Sequence, residues 1–301
     1  MTDAVTGAFS YSGAAIAAEL RRRGRQVRTL TNHVPANPGE LATFPLDLTD
    51  VAGLRTSLAG VDTLYNTFWV RFPHGSTTFE AAIAGSATLF RAAADAGVRR
   101  IVHVSITHAD VNSPYAYFRG KGLVEQHLQD TGISCAVARP AILFGGEGVL
   151  INNIAWLMRR SPLTLVGDGG RYRIRGIHID DLARLMVDLG ETSSDTVVDA
   201  VGPESLTFRE LLDCIRDAIG SKTLIASVPG AVFPLATAML GRALRDTLLT
   251  REEYLAMVHG LADSAAPSTG EIRLTEWIAS NRQTLGRTYA HEIKRHFAPP
   301  A

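Results

Sequence analysis

Three side chains in this sequence have types and spacing suited to acid–base chemistry: Ser105, Tyr117 and Lys121. Ser113 and Pro114 read as the cap and first residue of a helix, so Tyr117 and Lys121 fall one turn apart on one face. A phenol with an ordinary pKa of about 10 exchanges protons poorly at neutral pH, and a neighbouring ammonium lowers that value by stabilising the phenolate. Ser105 ends an apolar run, and with Ile106 and Thr107 it puts polar groups where a buried strand leaves its sheet. Such groups call for a polar partner above them. The chemistry implied is proton transfer at a carbonyl or hydroxyl carbon: Tyr117 handles the proton, Lys121 lowers its pKa and Ser105 holds the substrate oxygen. The alternative is a helical tyrosine beside a solvated lysine. Lysine is scarce here, only Lys121, Lys222 and Lys294 among thirty basic residues, which makes each one informative.

A hydride carrier would complete that chemistry, and the chain opens on a turn able to hold one. Val5-Thr6-Gly7-Ala8-Phe9-Ser10-Tyr11-Ser12-Gly13 lies between a strand, Asp3 to Thr6, and an Ala-rich helix, Ser12 to Arg23, closed by Gly24. A strand that turns abruptly into a helix leaves N–H groups pointing above the helix N-terminus, where a pyrophosphate fits. Gly7 allows the tight turn, and Gly13 lets the first helical turn pack on the strand. Ser10 stands where the dinucleotide fingerprint has its middle glycine; its hydroxyl is expected to offer itself to a phosphate oxygen. Phe9 and Tyr11 flank it within the turn.

Gln26 to Thr31 reads as the next strand, giving a βαβ beginning. Its end ordinarily carries an acid for a ribose 2′-hydroxyl, roughly 20 residues past the turn. No carboxylate appears before Glu40. With Asn32 and His33 there and Arg28 nearby, the site looks suited to a 2′-phosphate, so NADP(H) is expected over NAD(H). Asp47, followed by Leu48 at the end of a third strand (Phe44 to Leu46), is placed either to accept from the adenine amino group or to cap its own loop. Thr49 is expected to cap a helix from Asp50 to Leu58.

A fourth strand, Val61 to Thr67, continues into the aromatic stretch Phe68-Trp69-Val70-Arg71-Phe72. Ligands of open parallel sheets bind at this carboxyl edge. Asn66 and Thr67 are therefore expected on the nicotinamide side, and Trp69, Arg71 and Thr107 toward substrate; the alternative for the aromatic stretch is a packed loop. A helix from Thr78 to Ala96, a buried strand from Val98 to Val104 and a sixth strand from Ile133 to Ala138 complete a doubly wound α/β domain of the Rossmann type. Beyond it a helix from Gly148 to Arg160 offers Asn152 and Asn153 as substrate-facing amides or as amides solvated on its outer face. Strands at Leu163 to Val166 and Arg171 to Ile179, a helix capped by Asp180, and helices opened by Thr207, Thr250 and Thr275 follow. His178 reads as a structural histidine. The expected division is a dinucleotide-binding domain over 1–145, with 174–200 returning to it. A smaller, mainly helical C-terminal lobe over 146–173 and 201–301 would complete the substrate pocket.

Bulk composition sets limits on this picture. A chain of 301 residues, 46% hydrophobic and 20% charged, is an ordinary globular protein. Thirty basic and thirty acidic residues cancel, leaving no footprint for nucleic acid. Cys135 and Cys214 are too few and too far apart for a disulfide framework or a metal cage, which suggests a reducing, cytoplasmic setting. Met1 to Ala4 leave no room for a signal peptide before the first strand, and the apolar run from Leu224 to Leu240, broken by prolines and a glycine, reads as buried strand plus helix rather than a membrane span.

The turn from Thr6 to Gly13, the Ser105 strand end, Tyr117-x-x-x-Lys121 and Arg139-Pro140-Ala141-Ile142-Leu143-Phe144-Gly145 together resemble the short-chain dehydrogenase/reductase superfamily. The likeness is to its atypical extended members, the NmrA-like and NAD(P)-dependent epimerase/dehydratase-like proteins. It extends through Gly167-Asp168-Gly169, Ile177-His178-Ile179-Asp180-Asp181 and Gly202-Pro203-Glu204, to about residue 220. The resemblance implies that Ser105, Tyr117 and Lys121 match catalytic triad positions, that Lys121 also bonds the nicotinamide ribose and that Pro140 lies beside the nicotinamide. It implies an oxidoreductase or epimerase acting on a small organic substrate, or else a dinucleotide-binding redox sensor or accessory subunit without catalysis. The segment between Ser105 and Tyr117 is shorter than in many sugar-nucleotide epimerases, which argues against a sugar-nucleotide substrate.

Overall fold

The computed structural model describes residues 1–75 and 77–293. In chain order the first elements are β1 (Thr2–Thr6), α1 (Tyr11–Arg22), β2 (Gln26–Leu30), β3 (Ala42–Phe44), α2 (Val51–Leu58), β4 (Thr63–Asn66), α3 (Phe79–Asp95), β5 (Arg100–Val104), α4 (Ala116–Gln129) and β6 (Ser134–Pro140). There follow β7 (Ile142–Phe144), α5 (Val149–Arg160), β8 (Leu163–Gly167), β9 (Arg173–Ile174), β10 (Gly176–His178), α6 (Ile179–Glu191) and β11 (Thr196–Ala200). The chain continues through β12 (Leu206–Thr207), α7 (Phe208–Ala218), β13 (Leu224–Val228), α8 (Phe233–Leu244), α9 (Arg251–Val258) and α10 (Leu274–Ser280). Two compact units result: Met1–Pro140 with Asp180–Ala200, and Ala141–Ile179 with the described residues from Val201 on.

The first unit is a seven-stranded parallel sheet in the order β11-β6-β5-β4-β1-β2-β3. Strand order reverses between β1 and β4, and in open α/β sheets the crevice beyond the carboxyl ends at such a point is where ligands bind. β5 is buried at all five positions, as a strand covered on both faces must be. Leu30, Leu64, Leu89, Phe90, Ile101 and Leu128 are fully buried in its core. Arg100 anchors the opposite end: its guanidinium bonds the Leu189 and Ser194 carbonyls and the Ser134 and Thr192 hydroxyls.

The second unit combines helices with three two-stranded sheets, β7 with β10, β9 with β12 and β8 with β13. Phe144, Ile151, Met158, Phe208, Leu211 and Ile278 belong to its own core. A capping box between Thr207 and Glu210 starts α7, whose apolar face, Leu211, Leu212 and Ile215, turns into that core. No helix among the described residues is long and apolar enough to cross a membrane; the run from Leu224 to Leu240 divides into β13 and α8.

Several boundaries differ from expectation for local reasons. The cap of α2 is Asp50, whose carboxylate accepts from the Gly53 N–H, and not Thr49, whose hydroxyl donates to Asp47. Ser113 accepts from the Tyr115 N–H in a turn ahead of α4, so the helix begins at Ala116. The stretch from Arg171 to Ile179 is two short strands, and Asp180 lies inside the first turn of α6 rather than capping it.

Candidate active site

The carboxyl ends of β1, β4 and β5 are neighbours, and each supplies part of the site. At β1 the chain turns through Gly7 with φ of 65°, a left-handed conformation that glycine adopts without a Cβ penalty. A Cβ on Gly13 would fall 3.0 Å from the Thr6 carbonyl oxygen and closer still to that of Gly7, so only glycine lets α1 start this near the strand. The turn is held by Gly7 N–H to Leu30 O at 2.9 Å and Ala8 N–H to Thr29 Oγ1 at 3.0 Å. Above it opens the first turn of α1, whose N–H groups have no carbonyl within the helix to bond. These features fit a dinucleotide pyrophosphate. Ser10, exposed at the cap of α1, donates its hydroxyl to Gly7 O at 2.6 Å. Its single proton is thus held within the turn, not directed at a phosphate.

At β5, Ser105 is 4% exposed and its hydroxyl is buried without a hydrogen-bond partner among the described residues, while its N–H bonds Ala138 O at 2.8 Å. One residue earlier, the Val104 carbonyl accepts from Lys121 Nζ at 2.9 Å. Lys121 is 2% exposed, and burial drops its pKa to about 7 against the opposing pull of Glu125. Its ammonium lies 4.8 Å from the centre of the Trp69 ring, a cation–π contact that favours the charged form. Tyr117, one turn earlier on α4, meets Trp69 edge-on at 5.8 Å. Tyr117 and Lys121 therefore gather on one indole, which in turn stacks on Phe79 at 5.9 Å. The Trp69 indole N–H, like the Ser105 hydroxyl, is buried without a partner among the described residues.

Other expected residues have local work to do. Asn66 is fully buried: its Oδ1 accepts from the Thr6 hydroxyl at 3.0 Å and the Phe68 N–H at 3.2 Å, and its Nδ2 meets His103 Nδ1 at 3.0 Å. It ties β1, β4 and β5 together and does not face outward. Thr67 similarly donates to Thr6 O at 2.7 Å. Asn32 clamps Leu46 through both ends of its amide, at 2.7 and 3.1 Å. The Arg28 guanidinium lies at the C-terminal end of α2, on the Ser57 and Ala59 carbonyls. His33 remains exposed there. Asp47 caps its own loop, accepting from the Thr49 N–H and hydroxyl, which hold its carboxyl below the usual range. Leu48 packs against Gly85 of α3, where a Cβ would sit 2.8 Å from it.

Thr107 is fully buried, its N–H on the Pro140 carbonyl at 3.1 Å, so β5 and the buried Pro140 of β6 remain paired beyond the strand end. Arg71 lies over the Phe72 ring at 5.7 Å. Asn153, in the second unit, exchanges two hydrogen bonds with the Ala290 backbone, at 2.7 and 2.9 Å, which makes its amide a structural clamp. Sequence reasoning missed His103, wholly buried and held well below its ordinary pKa by burial and then by Lys121. Its signal was a histidine inside the apolar run from Ile101 to Val104, two positions before Ser105 and hence on the same face.

The fold and this site define a class: a doubly wound nucleotide-binding sheet of the NAD(P)-dependent oxidoreductase type. Residues 4–199 match the model of the NAD dependent epimerase/dehydratase family, and the chain belongs to that family. An uncharacterized protein of Mycobacterium tuberculosis is 28% identical over 70% of this chain; the chain spans only 23% of that relative's length. The mitochondrial NADH-ubiquinone oxidoreductase 40 kDa subunit of Neurospora crassa is 25% identical over 86% of this chain and 71% of its own. Among solved structures, the Citrobacter sp. triphenylmethane reductase complexed with NADP(H) has a TM-score of 0.76 at 19% identity, covering 94% of this chain and 100% of that one.

Proposed function

We infer that this chain is an NADP(H)-dependent oxidoreductase or epimerase-type enzyme that exchanges hydride with a carbonyl or hydroxyl carbon of a small organic molecule. The observation that carries this reading is the Ser105 hydroxyl, buried and unpartnered one residue beyond the carbonyl that holds Lys121. An unsatisfied buried hydroxyl costs about 1–3 kcal/mol, a strain that a substrate oxygen would relieve. The bound nicotinamide would supply or accept the hydride. Within the chain, Gly7 and Gly13 admit the pyrophosphate, Ser105 orients the substrate oxygen and Tyr117 transfers its proton. Lys121, held on Val104 O and Trp69, supplies the charge that lowers the Tyr117 pKa.

The preference for NADP(H) rests on the segment after β2, which has no carboxylate before Glu40 and exposes His33. With Arg28 and Asn32 occupied elsewhere, His33 is the group of that set available for a 2′-phosphate. Substrate contacts are assigned to Trp69 and Arg71; Thr107, wholly buried beneath the strand end, supports the site from below rather than touching substrate. The test is NADPH oxidation against a panel of aldehydes, ketones and quinones, with dissociation constants for NADPH and NADH. Turnover of a panel member and tighter NADPH binding are expected. Cofactor binding with no turnover, and obligatory co-purification with a partner, would instead favour an accessory role, the reading to which the Neurospora relative lends weight.

A further inference from the structure

Lys222 is one of only three lysines in the chain, and the proposed chemistry makes no use of it. It lies in the second unit, just beyond α7, exposed and without an ion pair among the described residues. It lines an open cavity of about 650 Å³ together with Arg159 and Arg160 from the end of α5 and with Arg287. These are four cations, and among the described residues no carboxylate lines the cavity. Many other arginines sit on acids, as Arg25 does on Asp3, Arg139 on Glu125 and Arg273 on Glu204, and those that sit on carbonyls, such as Arg28 and Arg100, are not gathered in a group of four. A concentration of uncompensated charge in a chain of zero net charge needs a cause.

Part of the cause is local. The Arg159 guanidinium bonds the Leu285 and Arg282 carbonyls at 2.9 and 2.6 Å, and that of Arg160 bonds the Gly286 and Arg287 carbonyls at 3.2 and 3.0 Å. Gly286 lets this turn seat directly on α5, since a Cβ there would come within 2.5 Å of the Ala155 and Trp156 backbone. Two guanidiniums are thereby fixed against a rigid wall, and Arg160 also lies over the Trp156 ring at 4.5 Å. Carbonyls orient these charges without neutralising them. The C-terminal ends of α5 and α7, which both meet here, contribute roughly half a negative charge each, against four positive ones. Among the described residues the Arg287 guanidinium engages only through Nε, to Gln283 O, which leaves its two terminal nitrogens as donors there. Burial and the proximity of Arg287 and Arg160 depress the Arg159 pKa, the mark of like charges crowded together.

We propose that this cavity binds a small polyphosphate, a di- or triphosphate group either free or carried on a nucleoside, with Lys222 and Arg287 as its mobile donors and Arg159 and Arg160 as its fixed wall. Guanidiniums meet phosphate oxygens bidentately and an ammonium meets them as a point charge. The volume suits a small molecule. The test is calorimetric titration with inorganic pyrophosphate, tripolyphosphate and ATP, with and without saturating NADPH. The expected result is saturable binding unaffected by NADPH, tighter for tripolyphosphate than for pyrophosphate, and weakened at least tenfold by the combined Lys222→Gln and Arg287→Gln substitutions. The same double variant should keep its unfolding midpoint and its NADPH affinity. Equal affinity for ATP and tripolyphosphate would mark the free polyphosphate as sufficient; a preference for ATP would mark the nucleoside-linked form. Absence of saturable binding by all three probes, binding abolished by NADPH, or undiminished binding in the double variant would overturn the proposal.

Discussion

Lys121 carries an unusual burden for a lysine. It is buried to 2% exposure and stripped toward neutrality by desolvation, yet it lies on a carbonyl and an indole face that favour its charge. Its folded pKa of about 7 lies below the ordinary lysine value, so between these two values the unfolded chain binds the extra proton. Stability should therefore rise with pH from about 7 toward the ordinary lysine range, by on the order of 2 kcal/mol over two pH units. Lys121→Met should flatten that slope, as urea midpoints at about pH 7 and about pH 9 would reveal. An unchanged slope in the variant would place the lysine charge elsewhere. Ser10 gives a second residue-scale expectation. Its hydroxyl proton is held by Gly7 O, so Ser10→Ala should cost about 1 kcal/mol of stability or less and shift NADPH affinity only slightly. A tenfold loss of affinity, measured by fluorescence titration, would return the hydroxyl to the phosphate.

At the scale of elements, the site exists because three strands end side by side and are cross-linked there. Thr6, Asn66 and His103 form one buried hydrogen-bonded chain across β1, β4 and β5. The start of α1 is pressed onto the same edge, and Gly13→Ala should push it away, at a cost of about 3 kcal/mol and with loss of cofactor binding. Denaturant unfolding together with NADPH titration would check this; a variant equal to the parent in both would contradict the packing described. Much of this layout was legible in the sequence. The Gly7 turn, the βαβ opening and the spacing of Tyr117 and Lys121 follow from local patterns whose period or turn chemistry is fixed by the residues themselves. What could not be read depends on partners distant in the chain. Asn66 looked outward until its neighbour His103 was brought beside it by the strand register. Asn32 looked free until the loop at Leu46 came round to meet it. In the second unit β7 and β12, three and two residues long and too short to show a period, escaped notice, whereas β9 and β10 fall within the strand expected over Arg171 to Ile179.

At the scale of the whole molecule, two compact units divide the chain, and membership of the NAD dependent epimerase/dehydratase family rests on residues that lie largely in the first. That unit contains Ser105, Tyr117 and Lys121 together with the glycine turn, so its predicted chemistry can be tested at a single atom. The most direct measurement is the NADPH-dependent turnover of Tyr117→Phe beside its dissociation constant for NADPH. Removal of the phenolic proton donor should lower kcat by about 10²- to 10⁴-fold and leave NADPH affinity within a factor of about three. Turnover equal to that of the parent chain would contradict the account.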